Sequence, residues 1–438
     1  MRALPPYVQA CVDALENAGF EAYAVGGCVR DDALGRIPQD FDLCTSALPE
    51  ETEAVFAGNP LVLAGKKHGT VAVIAPEGLV EITTYRTEGD YGDNRHPDWV
   101  RFVRSITEDL SRRDFTINAM AYSPSRGYAD PFGGRRDLDQ KLLRAVGDPT
   151  QRFQEDALRI LRGVRFAVKY GLQVEPETQR AMISQAHRMD SLARERVYAE
   201  LCKLLPLITA ADLIRFAPIL AQVLPELGAE IGFDQRSPHH AFDLFTHTAN
   251  VVENVPGDLA LRWAALLHDI AKVPTFTQDE TGRGHFYGHA PRGGEMADAV
   301  LRRLKAPNAL REEVVTLITH HMTKIPPTKK GVRRWLSRLD WETTQKLLRL
   351  QEADMRSKGV DNTQELTQFV PLWALLEEIR QENACLSVKD LAVNGRDLMA
   401  LGIHGRAVGQ TLNALLDGVL EEAVPNEKDA LLKYAQNL

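Results

Sequence analysis

Two aspartates, Asp40 and Asp42, stand two positions apart where a strand is predicted to begin at Asp40. Because side chains alternate between the faces of a strand, both carboxylates point the same way and Phe41 points into the core. No lysine neighbours them in the sequence, so the two carboxylates repel each other unless a divalent cation lies between them. The pair therefore predicts a divalent metal site.

A pair of glycines, Gly26 and Gly27, precedes these aspartates, between a predicted strand at 22–25 and a predicted short helix at about 29–34. Glycine lets the backbone approach a ligand closely, and free N–H groups at a helix start favour an anion. Arg30 lies one helical turn further on, within reach of a phosphate. The segment predicts metal binding together with phosphate binding.

The combined string G-G-C-V-R-D, then D-F-D opening an apolar strand, resembles the head of the class II nucleotidyltransferases. Within that superfamily it resembles the bacterial tRNA nucleotidyltransferases (CCA-adding enzymes) and the poly(A) polymerases. The resemblance implies addition of C and A nucleotides to the 3′ end of tRNA from CTP and ATP, without a nucleic-acid template. It implies that Asp40 and Asp42 hold two Mg²⁺ ions and that Gly27 and Arg30 bind the nucleotide. Glu81, on a predicted strand, is our candidate for a third carboxylate.

The segment 111–122 contains Arg112, Arg113 and Asp114 in succession. Asp114 can cap a helix that starts at Phe115. Two arginines at such a helix N-terminus also predict an anion site. The string is similar to the R-R-D motif of the family, which implies that Arg113 contacts the nucleotide phosphates and Asp114 the ribose.

A predicted helix at 152–166 repeats charged residues at three-residue steps. Its simplest interpretation is an exposed salt bridge between Asp156 and Arg159. The string also resembles the family motif E-D-x-x-R, in which an aspartate and an arginine serve as an amino-acid template for C and A. That resemblance implies that Asp156 and Arg159 read the base, with Arg162 and Arg165 near phosphate.

The composition is that of an ordinary globular protein, with 438 residues of which 44% are hydrophobic and 26% charged. A net charge of −8 means that nucleic-acid binding must come from a local basic surface. No apolar run approaches membrane-spanning length, so we expect no membrane contact. Five scattered cysteines without a C-x-x-C pair favour a reducing cytoplasm. The sequence leaves the oligomeric state open.

The pattern of strands and helices predicts an α+β fold, with a mixed sheet in the head and helices through the rest of the chain. Apolar runs predict strands near 61–63, 71–74, 79–84 and 100–103, and residues 87–99 form a polar loop. Strand signals fade from Leu143 onward. We expect a head at 1–145, a helical neck and body at 146–230, an HD domain at 231–360 and a helical tail at 361–438.

Histidines and aspartates in the third region have the order of the HD phosphohydrolases, H…HD…D. The residues that fill this pattern are His247, His268, Asp269 and Asp354. His289, and one of His320 or His321, are candidates for further ligands. Imidazole with carboxylate suits Mn²⁺, Ni²⁺, Fe²⁺ or Mg²⁺, so the resemblance implies an accessory phosphohydrolase. The alternative is that these histidines are ordinary core residues.

The densest basic run follows the histidine pair. Its candidate RNA-phosphate contacts are Lys329, Lys330, Arg333 and Arg334. A solvated helix surface is the simpler interpretation. Near the end of the chain, Arg406 in G-R-A-V-G is a second candidate for an RNA phosphate.

Five other functions remain to be separated from full CCA addition. Addition of only A, addition of only CC, and poly(A) polymerisation are the nearest, and the intact 87–99 loop favours full CCA or A addition. Nitrogen-regulatory uridylyltransferases also join such a head to an HD domain, but little chain is left for their sensing domains. An HD-type phosphohydrolase with a nucleotide-binding head is the fifth, which the intact Asp40 and Asp42 disfavour.

Overall fold

The structure is a computed structural model that describes residues 4–89 and 99–438. It divides into two compact units, the first comprising Met1–Ile208 and Arg215–Gly228 and the second Thr209–Ile214 and Ala229–Leu438. No helix among the described residues is long and apolar enough to cross a membrane. The four-part division expected at residues 145, 230 and 360 stays a prediction.

A seven-stranded mixed sheet is the centre of the first unit, in the order β3-β4-β5-β2-β1-β8-β9. Strands β2 and β5 run parallel, and the other neighbouring pairs run antiparallel. The strands up to residue 129 are β1 (Ala22–Val25), β2 (Asp42–Thr45), β3 (Leu61–Val62), β4 (Thr70–Ala75), β5 (Gly78–Thr84), β6 (Arg86–Gly89), β7 (Trp99–Phe102), β8 (Ala121–Ser123) and β9 (Gly127–Ala129). The mixed sheet and the α+β class are as predicted.

The second strand begins at Asp42 and not at Asp40 as predicted. Its register with β1 ends at the pair Val25–Asp42, because the next residue of that chain, Gly26, turns away with φ of 75°. Asp40 therefore has no strand partner and lies exposed before β2.

Residues 87–89 are strand rather than the predicted loop. They belong to β6, which pairs antiparallel with β7 as a separate two-stranded ribbon, and residue 99 of the predicted loop is the first residue of β7. The remainder of that loop, residues 90–98, lies outside the described residues. The length of this loop was to distinguish CCA addition from CC addition. That distinction therefore stays a prediction.

Helices cover the sheet and continue beyond it in the first unit. They are α1 (Pro6–Asn17), α2 (Gly27–Ala33), α3 (Pro49–Val55), α4 (Ile106–Ser111), α5 (Gly134–Asp139), α6 (Pro149–Glu155), α7 (Leu158–Tyr170), α8 (Pro176–Gln185), α9 (Arg194–Leu204), α10 (Ala210–Val223) and α11 (Pro225–Gly228). Between them, β10 (Leu142–Leu143) pairs in parallel with β11 (Gln173–Val174), so the strand content does not end at Leu143.

The helix predicted at 152–166 is broken at Asp156. This residue has extended backbone angles, φ −144° and ψ 104°, and its Oδ1 accepts a hydrogen bond from the Leu158 N–H at 3.0 Å. A side chain that accepts from a free N–H two residues on begins a new helix. The apolar face of α7, with Ile160, Leu161 and Val164 fully buried, then fixes that helix in the core.

The second unit is helical apart from one short hairpin, β12 (Thr277–Gln278) with β13 (Gly284–His285). Its helices are α12 (Leu244–Asn254), α13 (Leu259–Leu267), α14 (His289–Arg303), α15 (Asn308–His320), α16 (Lys329–Leu339), α17 (Trp341–Arg356), α18 (Thr363–Leu366), α19 (Phe369–Gln381), α20 (Gly395–Ala400), α21 (Arg406–Leu420) and α22 (Lys428–Ala435). Helix α13 is buried from Ala260 to Leu267, and α12, α15 and α17 pack on it.

Candidate active site and candidate metal centre

A cavity of about 460 Å³ opens in the first unit and is strongly basic. The eight residues predicted to bind the nucleotide all line it, together with Asp42; they are Gly27, Arg30, Arg113, Asp114, Asp156, Arg159, Arg162 and Arg165. Seven arginines and three aspartates face it in total. A cavity with this excess of guanidinium groups suits a polyanion such as a triphosphate.

The backbone angle and the small space at position 26 both favour glycine. Gly26 has φ of 75°, and a Cβ placed on it would come within 2.9 Å of Arg113 Nη1. A side chain here would be strained and would push the arginine away. The turn therefore brings the backbone directly against Arg113, and α2 begins at the next residue.

Arg30 is a buried cation, only 6% exposed. Its Nη1 donates to Asn118 Oδ1, and its Nε donates to Asp31 Oδ1 at 2.9 Å. The guanidinium also lies 5.3 Å from the centre of the Phe166 ring. These contacts hold Arg30 in a fixed orientation at the cavity wall, so a phosphate would meet a preorganised cation.

Asp114 does not cap an α-helix, because a single 3₁₀ turn, Thr116–Asn118, follows it. Its Oδ1 accepts from the Phe115 N–H at 2.8 Å and from Asn118 Nδ2 at 2.9 Å. Its Oδ2 accepts from Arg162 Nε at 2.8 Å and Nη2 at 2.6 Å. Burial raises the pKa of Asp114, but Arg162 and these hydrogen bonds outweigh it and lower the pKa to about 2. The carboxylate is ionised and holds Arg162 in place.

The two arginines before Asp114 lie at a helix C-terminus, not at the predicted N-terminus. Helix α4 ends at Ser111 and Arg112 is its C-cap. Arg112 donates to Asp109 Oδ1 at 2.9 Å, and Arg113 Nη2 lies 3.5 Å from Asp109 Oδ2. Cations are favoured at this end of a helix dipole, so the affinity for anions comes from the arginines themselves.

Asp156 and Arg159 have separate partners, which rules out the exposed salt bridge between them. Arg159 Nη1 donates to Glu155 Oε2 at 2.6 Å, and its Nη2 donates to the carbonyl of Arg112 at 3.0 Å. Asp156 Oδ2 accepts from Arg196 Nη2 at 2.8 Å. Both side chains are held with polar atoms at the cavity wall, an arrangement that can present a fixed donor and acceptor pattern to a base.

Arg196 was missed by the sequence reasoning although it lines the cavity. It lies on α9, forty residues after the aspartate it contacts, and no motif surrounds it. Phe166 was also missed as a site residue. The centre of its ring lies 5.4 Å from the guanidinium group of Arg162 and 4.4 Å from that of Arg165. Arg165 Nε also donates to Glu200 Oε2 at 2.6 Å.

Three carboxylates, those of Asp40, Asp42 and Glu81, belong to the region where β2 begins. Asp42 pairs in register with Glu81 on the parallel strand β5. Burial raises the pKa of Asp42, and the charges of Glu81 and Asp40 raise it further while Arg113 lowers it. Mutually repelling carboxylates fit a divalent cation, so Asp42, together with Asp40 and Glu81, has the donor chemistry for Mg²⁺.

The second unit contains two sets of residues whose ligand atoms lie within 4.8 Å of one another. They are His247, His268 and Asp354, and Asp269, His289 and His321. All six residues are buried. The structure thus brings together every predicted ligand and selects His321, since the ring of His320 instead packs on Trp335 at 5.3 Å.

Four histidines of this centre are held with the same ring nitrogen pointing inward. The Nδ1 atoms of His247, His268, His289 and His321 each bond to a backbone carbonyl, of Ser357, Ala265, Phe286 and Ile318 respectively, at 2.6–3.1 Å. A carbonyl accepts, so Nδ1 carries a proton and Nε2 is the ring nitrogen that remains to bind a metal. This is the tautomer that a metal ligand requires.

Several of the inward atoms lack hydrogen-bond partners, whereas His289 Nε2 and His321 Nε2 lie 3.3 Å from each other. His247 Nε2, His268 Nε2 and both carboxylate oxygens of Asp269 are buried without one, although His247 Nε2 lies 3.0 Å from Asp354 Oδ1. Burial lowers the pKa of His247, but Asp269 and Asp354 outweigh it and raise the pKa to about 9. Acceptors that converge in a buried site and favour positive charge fit a divalent cation.

The basic run on α16 has acidic partners within the second unit. Lys329 pairs with Glu378 and Glu382, Lys330 and Arg334 with Glu421, and Arg333 with Glu382 and Glu422. The four predicted RNA contacts are therefore neutralised in this structure, and an RNA phosphate would have to displace a carboxylate. Arg406 lies exposed at the start of α21; its predicted phosphate contact stays a prediction.

Three protein-family descriptions match parts of this chain. "Poly A polymerase head domain" matches residues 22–144, "Probable RNA and SrmB- binding site of polymerase A" matches residues 171–230, and "tRNA nucleotidyltransferase domain 2 putative" matches residues 292–435. Together with the carboxylates and the basic cavity, the first match defines the head as that of a nucleotidyltransferase.

Relatives extend the likeness over nearly the whole chain. A CCA-adding enzyme of Geobacillus stearothermophilus is 33% identical over 98% of this chain and 96% of its own length, and one of Levilactobacillus brevis is 35% identical over 96% and 95%. A crystal structure of the Bacillus stearothermophilus CCA-adding enzyme in complex with CTP superimposes with a TM-score of 0.69, at 28% identity over 99% and 98% of the two chains. The chain belongs to the CCA-adding enzyme family and is a nucleotidyltransferase, a class of enzyme that generally uses divalent metal ions.

Proposed function

We propose that this enzyme adds C and A nucleotides to the 3′ end of tRNA, with CTP and ATP as substrates, in the cytoplasm. The observation that carries the proposal is the single cavity that joins Asp42 to all eight predicted nucleotide contacts. Relatives named CCA-adding enzymes support it, as does the similarity to an enzyme crystallised with CTP.

Asp40 and Asp42 are the proposed ligands of two Mg²⁺ ions, with Glu81 as the third carboxylate. Mg²⁺ bound there would supply positive charge that lowers the pKa of the tRNA 3′-hydroxyl and orients the triphosphate. The hydroxyl oxygen then bonds to the α-phosphorus as the bond to pyrophosphate breaks, in line. The parallel pairing of β2 with β5 fixes Asp42 relative to Glu81, so the strands set the geometry of the site.

The arginines of the cavity are proposed to bind the triphosphate. Arg113 lies against the Gly26 turn, so the backbone N–H groups of the turn and one guanidinium can address the same phosphate. Arg30 and Arg162 are held by Asn118 and Asp114. In this proposal Asp114 positions Arg162, in addition to the ribose contact that the resemblance implies.

Base selection is assigned to Asp156 and Arg159, on either side of the break between α6 and α7. A site that hydrogen-bonds one base edge rejects bases that leave its polar atoms unpaired. Arg196 holds the Asp156 carboxylate and is proposed to fix its orientation toward the base. No nucleic-acid template is needed for this selection.

The test uses purified enzyme, tRNA ending at the discriminator base, tRNA ending in CC, and CTP and ATP supplied separately. We expect CTP alone to extend the first tRNA by two nucleotides and ATP alone to extend the second by one. If the enzyme fails to add C, it is an A-adding enzyme. If it fails to add A, it is a CC-adding enzyme. Long A tails on both substrates would indicate a poly(A) polymerase.

We propose a second activity, a metal-dependent phosphohydrolase in the second unit. The buried acceptors without partners and the common tautomer of the four histidines favour it. His247, His268, Asp269 and Asp354 would hold the ion, with His289 and His321 as further ligands, and Mn²⁺, Ni²⁺ or Fe²⁺ suits the mixed donor set. Such an ion would supply a water nucleophile at neutral pH. Lys272 Nζ lies 2.8 Å from Asp269 Oδ2 and holds that carboxylate.

The test is the hydrolysis of simple phosphate esters by dialysed enzyme supplied with Mn²⁺ or Ni²⁺. We expect turnover that does not depend on Asp42. Bound metal without turnover would make the centre a clamp for the helices that carry it. Absence of any bound metal would mean that the histidines are ordinary core residues.

A further inference from the structure

Two cavities border the metal centre of the second unit. The larger has a volume of about 290 Å³ and the smaller about 190 Å³. Met322, Asp354 and Lys358 line both. Each cavity also reaches the second set of ligands, the larger at Asp269 and His289 and the smaller at His321. The metal centre is therefore accessible from two sides that meet at Asp354 and Lys358.

The larger cavity suits a polar, charged group that carries a ring. Lys272 and Arg283 line it in addition to Lys358. At its edge Tyr287 is 77% exposed and stacks on His285 with ring centroids 5.3 Å apart and an interplanar angle of 6°. An exposed aromatic ring in a cavity that cationic side chains also line offers a stacking surface for another ring.

The smaller cavity suits a less polar group. Its walls include the buried side chains of Ile325, Phe369 and Leu372. Thr323 and Lys324 lie exposed at its edge. Apolar walls with a few polar groups at the edge are typical of a pocket for an organic substituent.

We infer that this centre acts on linear phosphodiesters in preference to phosphomonoesters. The inference rests on the proposed phosphohydrolase. The phosphate lies beside Asp354 and Lys358, one ester group enters the cation-lined cavity against Tyr287, and the other enters the apolar cavity. A monoester has one organic group and fills only one of the two.

The reaction is a hydrolysis with water as co-reactant. The water oxygen bonds to phosphorus, one phosphorus–oxygen ester bond breaks, and the departing oxygen takes a proton and leaves as an alcohol. The other ester bond stays intact, so the second product is a phosphomonoester. In this proposal the ammonium group of Lys358, which lines both cavities, contacts the phosphate.

The experiment compares bis(4-nitrophenyl) phosphate with 4-nitrophenyl phosphate on the full-length, Mn²⁺-loaded enzyme. We expect kcat/KM for the diester to be about tenfold higher. Calorimetric binding of diphenyl phosphate and phenyl phosphate gives a second readout that does not need turnover, and we expect the same preference. Thr323→Trp, which adds bulk at the smaller cavity, should lower diester turnover and diester binding more than the monoester values.

Val370→Trp is the matched control, since Val370 is 69% exposed, lies on α19 beside Phe369 and lines neither cavity. It should leave both substrates unaffected. A monoester preference, or equal loss for both substrates in Thr323→Trp, would overturn the inference while leaving a phosphohydrolase in place. If neither ester is hydrolysed, the proposed phosphohydrolase is wrong. If, in addition, diphenyl phosphate and phenyl phosphate bind with equal affinity, the two-cavity inference is wrong as well.

Discussion

The two candidate sites of this protein treat their charges in opposite ways. In the first unit, Asp114 accepts four hydrogen bonds and its pKa falls to about 2. In the second unit, both carboxylate oxygens of Asp269 are buried without a hydrogen bond, and the ion pair with Lys272 Nζ, 2.8 Å from Oδ2, compensates the charge. Asp114 of the first site therefore has its charge satisfied before any ligand arrives, whereas several buried acceptors of the second site converge without a hydrogen-bond partner.

The difference reflects the size of the ligand that each site is proposed to take. A nucleoside triphosphate has many oxygens in an extended geometry, so its donors must already be held in place by the protein. A metal ion is a point charge, and lone pairs directed at one centre become favourable when it binds. Satisfied polar groups can therefore mark a site for a large anion, and unsatisfied ones a site for a cation.

The largest expected effect separates the two sites by removing one carboxylate. Asp42→Asn should lower nucleotide addition by about 10³-fold or more, because the neutral amide is a poor ligand for a divalent ion. Ester hydrolysis by the second unit should be unchanged. Nucleotide incorporation and 4-nitrophenol release are measured on the same preparation. The control is Asp13→Asn, which changes an exposed aspartate of the same unit. If Asp42→Asn keeps more than a few per cent of the nucleotide addition, the metal assignment is contradicted.

The converse change acts on the metal centre. His268→Ala should release the divalent ion that survives dialysis in the wild type, because a ligand lone pair is removed and the ring contact with His321 is lost. Metal content is measured by mass spectrometry after dialysis, and nucleotide addition should persist. His404→Ala removes an exposed histidine of the same unit and should retain the ion. Equal metal content in both variants would exclude His268 as a ligand.

A smaller effect tests whether the first site is held together by its own charges. Arg162→Ala removes both hydrogen bonds to Asp114 Oδ2 and should lower the apparent free energy of unfolding in urea by about 2–3 kcal/mol at pH 7. The folded pKa of Asp114, about 2, lies below the ordinary aspartate value. Its contribution is therefore complete above pH of about 5 and is lost as pH falls toward 2.

The free-energy difference between wild type and Arg162→Ala should accordingly narrow as pH is lowered from 5 to 3. Arg180→Ala is the control, since this side chain is 71% exposed and lies 3.7 Å from Glu177; its effect should stay below about 0.5 kcal/mol. A difference that is constant with pH would mean that the arginine acts through packing alone.

The smallest effect concerns selection rather than rate. Asp156→Ala should raise the incorporation of UTP and GTP relative to CTP and ATP by about tenfold, since discrimination depends on polar groups that a wrong base leaves unpaired. Arg196→Ala should give a weaker change in the same direction, because it frees the carboxylate without removing it. Both are measured by competition among the four nucleotides. Lower stability with unchanged selection would leave Asp156 as a cap of α7 alone.

Local patterns in the sequence were sufficient to select most of the residues that the structure brings together at each candidate site, but not their backbone. The alternation around Phe41 and the order of the histidines depend on neighbours in the chain, and Asp42 and the metal-centre residues lie where those patterns indicated. The break at Asp156 was missed because a side-chain cap competes with helix continuation in a way that three-residue spacing does not reveal. Arg196 was missed because its contact spans forty residues. The choice of His321 over His320 depends on how α15 ends, which spacing alone cannot give.

The acidic partners of α16 have a consequence for how the enzyme responds to salt. A cation that binds an RNA phosphate normally releases a condensed counterion, which makes affinity fall steeply as salt rises. Here each such contact would break an ion pair with a glutamate. The released carboxylate would then attract cations from solution, which offsets the counterions released from the RNA. Lys329, Lys330, Arg333 and Arg334 would then add little to the net release of ions. The salt dependence of RNA affinity would be set by cations elsewhere on the surface.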